Sequence, residues 1–205
     1  MKTEITEPII LASGSPRRLE YFKLLGLPFQ VLKTEIDETL TKQTDPQKLT
    51  AELAVKKAEN AINIMKDKLP AWIFTADTVV ALDGKIFGKP IDREDAKRML
   101  QAFSGREHVV FTSIALFNRE KDIIDCRTAT CSVVFAPLSQ EEIDWYLDTN
   151  EWQGVAGAYR IQGLASCFIT KIKGCQSTVT GLPLYEFYVM LKDNGCWYGA
   201  CAPGS

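Results

Sequence analysis

The sequence predicts a mixed α/β fold, in which helices flank a twisted sheet. Strand-like apolar segments alternate with segments of helical periodicity, which is typical of this class. The 205 residues are 46% hydrophobic and 24% charged, as in ordinary globular proteins, and could form one sizeable domain or two small lobes. No repeat or linker is visible. We therefore expect a single domain over 1–205, with a possible second lobe at about 105–150 and a frayed tail at about 196–205.

The segment Ile10–Arg18, Ile-Leu-Ala-Ser-Gly-Ser-Pro-Arg-Arg, is the most informative. A strand expected over Ile9–Ser13 ends in small residues, and a helix expected over Pro16–Leu25 begins with Ser15 as its N-cap. Two arginines then occupy the first helical turn, where the helix dipole is already positive. Backbone N–H groups and two guanidinium groups in one place predict a site for a polyanion, such as a nucleoside triphosphate.

The next elements follow from apolar spacing and turn signals. In chain order they are a strand at Phe29–Leu32, a polar loop at Glu35–Asp45, a long helix at Pro46–Asp67, a strand at Trp72–Ala76 interrupted at Asp77-Thr78, and a hairpin of Val79–Leu82 with Lys85–Phe87. The long helix has apolar residues spaced for one buried face. The dipeptide Asp83-Gly84 is typical of a type I′ hairpin turn.

The second half alternates in the same way. We expect a helix at Arg93–Phe103, paired strands at Val109–Phe117 and Ile123–Phe135, a helix from Ser139 to Leu147, a glycine-containing loop at Gly154–Gly163, a strand at Leu164–Ile172, and a last helix from Pro183 to Lys192. Ser139 and Glu142 form a capping box at the start of the fourth helix. The alternation supports a mixed sheet.

Composition excludes several function classes. The net charge of −2 disfavours a general nucleic-acid binder. No apolar run approaches about 20 residues, so we expect no membrane span, and no signal peptide is visible, so we expect a cytoplasmic protein. The six cysteines form no CxxC pair and are expected to be reduced. His108 is the single histidine, which we interpret as structural, and it makes a Cys/His zinc site improbable.

Carboxylates are the candidate catalytic and metal-binding groups. Asp77 follows an apolar strand, where it could bind a metal or act as a general base on water. Asp37 and Glu38 could share a metal with it, and carboxylate ligands favour Mg²⁺ or Mn²⁺. The ordinary alternatives are a turn aspartate and a solvated acidic loop.

Two lysines and a glutamine are further candidates. Lys89, held before Pro90, could reach a phosphate, and Lys57 lies beside the apolar face of the long helix. Both could equally be surface lysines. Gln162 ends the small-residue loop and offers a donor and an acceptor suited to a base edge. Tight packing is the alternative explanation for that loop.

Taken in order, these segments resemble one family. They are Leu-Ala-Ser-Gly-Ser-Pro-Arg-Arg (11–18), Asp-Glu (37–38), Lys-Ala (57–58), Ala-Asp-Thr-Val-Val (76–80), Gly-Lys-Pro (88–90), Ser-Gly-Arg-Glu-His (104–108), Ala-Gly-Ala-Tyr-Arg-Ile-Gln-Gly (156–163) and Gly-Leu-Pro-Leu (181–184). The ordered set is similar to the Maf family, septum-formation-inhibitor-like nucleoside triphosphate pyrophosphatases, from about Ile9 to Leu191. The resemblance implies two lobes around a cleft, in a fold related to inosine triphosphate pyrophosphatases. It also implies hydrolysis of a nucleotide to its monophosphate and pyrophosphate.

The resemblance also implies roles for individual residues. Asp77 matches the proton acceptor, and Arg17, Thr78 and Gln162 match positions tied to substrate choice. The residues that match the phosphate and metal environment are Ser13, Arg17, Arg18, Glu38, Lys57, Lys89 and Asp77. The Asp-Thr and Ile-Gln-Gly forms are similar to the branch that acts on dTTP and UTP. A divalent cation (Mg²⁺, Mn²⁺ or Co²⁺) and a homodimer are implied as well.

The sequence departs from the family pattern at two positions near the small-residue loop. Val155 stands where lysine is frequent, and Arg160 stands where glycine is frequent. Arg160 could replace the lost charge. Two other functions stay open: a pyrophosphatase directed at purines of the inosine or xanthosine type, and a non-catalytic nucleotide-binding regulator of cell division. Turnover of a panel of triphosphates would distinguish them.

Overall fold

The computed structural model describes residues 7–34 and 43–196. The strands are β1 (Ile9–Leu11), β2 (Phe29–Val31), β3 (Trp72–Leu82), β4 (Lys85–Phe87), β5 (Glu107–Asn118), β6 (Ile123–Phe135) and β7 (Ile169–Lys173). The helices are α1 (Pro16–Leu24), α2 (Pro46–Ile64), α3 (Arg93–Phe103), α4 (Gln140–Asp148), α5 (Gln176–Thr180) and α6 (Leu184–Asp193). The mixed α/β class predicted from the sequence is confirmed.

One sheet contains all of these strands, in the order β2-β1-β3-β5-β6-β7, and β4 pairs with the end of β3. The pairs β1–β2 and β1–β3 are parallel, and the other pairs are antiparallel. Residues 105–150, the stretch considered for a second lobe, contribute β5 and β6 to this sheet and also form α4. Within the described residues, no helix is both long and apolar enough to span a membrane.

The predicted interruption of β3 at Asp77-Thr78 is wrong. The strand continues through both residues, and they pair in register with Ser113 and Thr112 of β5. Both side chains find partners on the sheet faces, so neither requires a turn. The parallel partner β1 ends beside Phe74, however, so Asp77 still lies just beyond the carboxyl end of β1.

Three other elements differ from the sequence prediction. Residues Leu164–Phe168 form a 3₁₀ turn, and the strand begins only at Ile169. Ala165 and Phe168 are the buried residues there, and a spacing of three does not suit a strand. The long helix ends at Ile64, with a 3₁₀ turn after it. The five-residue helix α5, ended by Gly181, is not predicted at all.

Capping and turn signals in the sequence predicted several elements correctly. Ser15 is the extended N-cap of α1, although its side chain makes no capping hydrogen bond, and Pro16 follows it. The capping box of Ser139 and Glu142 is present at α4. Asp83 and Gly84 both have positive φ, at 50° and 75°, as a type I′ turn requires.

Two hydrophobic clusters pack on one face of the sheet, at opposite ends of β3 and β5. The first joins α1 and α6 to Phe74, Ala76 and Ile114. The second joins α3 and α4 to Val80 and Val110. Thr78 and Thr112 lie between these positions on the same face, where a cleft separates the two clusters. Thr78 lines this cleft, and Thr112 is buried beneath it.

Candidate active site

The cleft is a cavity of about 610 Å³. Its walls come from the loop between β1 and α1, from the middle of β3, from residues 153–160, and from the end of α5. The cavity lies where β1 has ended and β4 has not yet begun, so the edge of β3 is open there. A cavity of this volume is in the range of small-molecule sites.

Arg18 connects three walls of the cleft. Its Nε donates to the carbonyl of Gly181 at 2.8 Å, and its Nη1 donates to Ser13 Oγ at 3.0 Å. Its Nη2 donates to Thr78 Oγ1 at 3.3 Å. Ser13 Oγ also accepts from the backbone N–H of Ser15, at 3.3 Å. Arg18 therefore orders the loop in front of α1 as well as adding positive charge.

Arg17 and Arg160 bring two further guanidinium groups into the cleft. Burial, followed by the positive charge of Arg160, lowers the pKa of Arg17 from its ordinary value. The Nε of Arg160 is buried and finds no hydrogen-bond partner among the described residues. Partly desolvated guanidinium groups that repel each other are stabilised by an anion between them. Both side chains line the same cavity, which is therefore suited to hold such an anion.

Asp77 lies on the opposite face of β3 from Thr78, against α2. Its Oδ1 is 2.5 Å from Lys57 Nζ, and both side chains are largely buried, with 9% and 17% exposure. The partner lysine is predicted from the sequence as a site residue, and the structure brings the two together. The ion pair orients the Asp77 side chain where both residues line the cavity.

The cleft is strongly cationic. Its positively charged lining residues within 7–34 and 43–196 are Arg17, Arg18, Lys57, Lys89 and Arg160. Asp77 is the single carboxylate that lines it in those ranges. Ser15 leaves the first-turn N–H groups of α1 uncapped by its side chain, which adds the positive end of a helix dipole. This charge balance favours a ligand with several negative charges.

A metal would have few protein ligands here. Glu38 and Asp37, predicted to share a metal with Asp77, lie outside the described residues. In the part of the chain that is described, no group of three His, Cys, Asp or Glu side chains could hold an ion. Magnesium is commonly bound by one or two carboxylates together with substrate phosphates and water, and Asp77 in a phosphate-sized cleft fits that requirement.

Gln162 is not brought into the cleft. Its side chain is exposed, and it is absent from the lining residues. His108 is structural: it is 1% exposed, its ring stacks on Phe103, and its Nε2 lies 2.9 Å from the hydroxyl of Tyr159. Burial lowers the pKa of His108 to about 4.

Two groups of lining residues are absent from the site predicted from the sequence. The first is Arg160, which the sequence suggests only as a replacement for the charge lost at Val155, and which the structure places in the cleft lining. The second is the end of α5, where Thr180 and Gly181 close the cleft beside Arg18. Apart from the glycine, nothing in the sequence indicates that this segment reaches Arg18.

Fold and site together define an α/β protein with a cationic cleft suited to a polyphosphate, beside Asp77, the one buried carboxylate within residues 7–34 and 43–196. The comparisons agree with this class: the family described as Maf-like protein matches residues 8–194, so the chain belongs to the Maf family.

Proteins with similar sequences align with nearly the full length of this chain. A protein named dTTP/UTP pyrophosphatase from Hydrogenovibrio crunogenus is 42% identical over 91% of this chain and 95% of its own length. Proteins of the same name from Syntrophus aciditrophicus and Agrobacterium fabrum are 38% and 40% identical, over 93% and 94% of this chain and 92% and 95% of their own lengths. The family resemblance inferred from the sequence motifs is confirmed.

Proposed function

We propose that this protein is a nucleoside triphosphate pyrophosphatase that hydrolyses dTTP and UTP to the monophosphate and pyrophosphate, and so removes modified or excess nucleotides. The observation that carries the proposal is a cleft in which five cationic side chains surround one buried carboxylate. The names of three relatives similar over nine-tenths of the chain support the choice of substrates.

The cationic side chains would hold the triphosphate and stabilise the charge that develops on the leaving pyrophosphate. Arg17 and Arg160 are suited to this because their guanidinium groups are partly desolvated and close together. Lys89 lines the same cavity and adds a further positive charge. Catalysis of this kind rests on positioning and preorganised electrostatics.

Asp77 would orient the attacking water and accept its proton. Its carboxylate has one oxygen on Lys57 Nζ at 2.5 Å, which leaves the second oxygen for the water. Attack then occurs on the α-phosphorus, and the bond from that phosphorus to the bridging oxygen of pyrophosphate breaks. The proton from the water passes to Asp77, and the electron pair of the broken bond leaves with pyrophosphate.

A divalent cation, Mg²⁺, Mn²⁺ or Co²⁺, fits beside the same carboxylate. Asp77 would hold it together with triphosphate oxygens, and Glu38 is the proposed second ligand. When bound, the cation supplies Lewis-acid neutralisation of phosphate charge. Lys57 holds the Asp77 carboxylate in place by a contact of 2.5 Å, and metal binding and proton acceptance both depend on that position.

The remaining predicted roles belong to this proposal as well. Ser13, Arg18 and the N-terminus of α1 would bind phosphate oxygens, and Thr78 and Gln162 would contribute to base selection. For the exposed Gln162, this requires contact with a ligand that extends out of the cleft. A single domain over 1–205, a homodimer and a cytoplasmic location stay predictions.

A panel of triphosphates tests the proposal. Purified protein with Mg²⁺, Mn²⁺ or Co²⁺ is incubated with dTTP, UTP, CTP, ITP and XTP, and pyrophosphate release is measured. We expect dTTP and UTP to be hydrolysed most efficiently. Preference for ITP or XTP would support the purine-directed alternative, and tight binding of dTTP without turnover would support the non-catalytic regulator. In both cases the proposal would be wrong.

A further inference from the structure

We propose that Thr112 is a positioning residue that fixes the proton of Thr78, so that Thr78 presents only a hydrogen-bond acceptor to the nucleobase. The inference rests on the proposed function and deepens it, because it names the chemistry by which the cleft would select a base. It concerns a residue that does not itself line the cavity: Thr112 is fully buried, at 0% exposure.

A chain of hydrogen bonds runs beneath the cleft. Arg18 Nη2 donates to Thr78 Oγ1 at 3.3 Å. Thr78 Oγ1 lies 2.9 Å from Thr112 Oγ1. Thr112 Oγ1 in turn lies 2.8 Å from the carbonyl oxygen of Thr178 in α5.

The groups at the two ends of this series of hydrogen bonds determine where each hydroxyl proton lies. A carbonyl oxygen only accepts, so Thr112 must donate its one hydroxyl proton to Thr178. Thr112 Oγ1 then has no proton for Thr78, and Thr78 must be the donor in the hydroxyl pair. At the other end, a guanidinium only donates, so Thr78 Oγ1 accepts from Arg18. The hydroxyl of Thr78 is left with one lone pair and no proton for a ligand.

That lone pair lies in the part of the cleft suited to a base. Beside Thr78 and Arg18, the cavity is lined by small apolar side chains of the hydrophobic cluster that packs on this face of β3: Val80, Val110, Ala156 and Val179. The lysine–carboxylate pair is on the other face of the strand. Apolar walls with a few placed polar groups are typical of small-molecule pockets, so the base fits here and the phosphates fit among the cations.

Gly181 leaves the space beside Thr78. It has a φ of +104°, and a Cβ at this position would lie 3.3 Å from Thr78 Oγ1 and 3.6 Å from Arg18 Nη2. A side chain there would therefore crowd the hydroxyl that we assign to the base. The absence of a Cβ keeps that hydroxyl reachable from the cavity, which Thr78 and Gly181 both line.

An acceptor at this position selects a base with a ring N–H. Uracil and thymine carry a proton on N3, whereas N3 of cytosine is an acceptor and would face the lone pair of Thr78 without a proton between them. A site built for a hydrogen bond rejects the ligand that lacks the matching group, because its buried polar atoms are left unpaired. The hydrogen bonds from Arg18 through Thr78 and Thr112 to Thr178 thus favour UTP and dTTP over CTP.

Thr112→Val tests the assignment, because it removes the hydroxyl that holds the proton of Thr78. The hydroxyl of Thr78 can then turn and donate to the cleft. We expect the ratio of kcat/KM for UTP to that for CTP to fall roughly tenfold or more. Thr112→Ser retains the hydroxyl and should retain the wild-type ratio. Thr128→Val is the matched control, because Thr128 Oγ1 bonds Ser113 Oγ at 2.7 Å, on the other side of β5 and outside the cavity lining.

A modified substrate tests the same inference with wild-type protein, so the result does not depend on whether a variant folds. Wild-type protein should hydrolyse 3-methyl-UTP, in which the N3 proton is replaced, roughly tenfold or more less efficiently than UTP. An unchanged UTP:CTP ratio in a folded Thr112→Val variant would overturn the inference, as would equal hydrolysis of UTP and 3-methyl-UTP. If wild-type protein releases no pyrophosphate from UTP or dTTP, the proposed function itself is wrong.

Discussion

Lys57 Nζ lies 2.5 Å from Asp77 Oδ1, and this ion pair joins the middle of α2 to the open edge of β3. It is the most buried of the ion pairs found among residues 7–34 and 43–196. Replacing either partner leaves an uncompensated charge in a largely buried position, which is costly. The pair therefore matters both for stability and for the orientation of the proposed base.

Lys57→Met should lower kcat for UTP hydrolysis by roughly 100-fold and destabilise the fold by about 3 kcal/mol. The cause is the loss of the cation that orients Asp77, which leaves the buried carboxylate without its ion-pair partner. Steady-state kinetics and urea unfolding measure the two effects. Lys56→Met is the matched control: Lys56 pairs with Glu52 on the same helix at 2.6 Å but is 39% exposed, so its loss should change stability by less than about 0.5 kcal/mol. Equal kinetics of the Lys57 and Lys56 variants would contradict the assigned role.

Arg160→Gln should raise KM for UTP roughly tenfold and lower kcat, because it removes a cation from the triphosphate site. The unfolding free energy should stay the same or rise slightly, since the charge of Arg160 disfavours the charged form of its neighbour Arg17. Activity assays and thermal unfolding test both statements. Arg98→Gln serves as the control, because Arg98 is exposed and pairs with Asp95 on α3. A loss of stability without a change in KM would mean that Arg160 has only a structural role.

Gly181→Ala should reduce kcat/KM for UTP and also destabilise the protein by about 1–3 kcal/mol. The strain comes from its φ of +104°, and the loss of activity comes from a Cβ 3.3 Å from Thr78 Oγ1. Gly195→Ala separates the two effects, because Gly195 has a φ of +84° and open space around it. It should lose stability and keep wild-type kinetics. Matching kinetic losses in both variants would contradict the contact with Thr78.

Stability should decrease as the pH falls from about 6.5 to 4. His108 is buried in its neutral form, and burial lowers its pKa to about 4, whereas an unfolded histidine titrates near 6.5. In that window the unfolded state binds a proton that the folded state does not bind, so protonation favours unfolding by up to about 3 kcal/mol. Urea unfolding at several pH values measures this. In His108→Gln, this contribution should be absent, and an unchanged slope would show that other groups cause it.

Most of the correctly predicted elements depend on interactions between residues that are neighbours in the sequence. Ser15-Pro16, Asp83-Gly84 and the capping box at Ser139 each act through neighbouring residues, so the elements they begin or join are correct. The continuity of β3 could not be predicted in the same way. It depends on Lys57 and Thr112, which are far from Asp77-Thr78 along the chain and supply partners that a local pattern does not reveal.

The site residues were predictable from the sequence at positions where the residue type is uncommon for structural reasons alone. Paired arginines at a helix start and an aspartate after an apolar run both pointed to a ligand site, and the structure brings Arg17, Arg18, Lys57, Asp77 and Lys89 to the cleft. The hydrogen bonds of Arg18 to Gly181 and Thr78 were not predictable, because they need α5 to fold against the start of α1. The position of Gln162 outside the cleft likewise depends on how the 154–163 loop packs.

The most direct test of the account is the position of isotope after hydrolysis of UTP in H₂¹⁸O. The account places the attack of water, oriented by Asp77, on the α-phosphorus, so mass spectrometry should find one ¹⁸O in UMP and none in pyrophosphate. Asp77→Asn should abolish this turnover while the circular dichroism spectrum stays that of the folded protein. Label in pyrophosphate, release of orthophosphate with UDP, or wild-type turnover by Asp77→Asn would contradict the account.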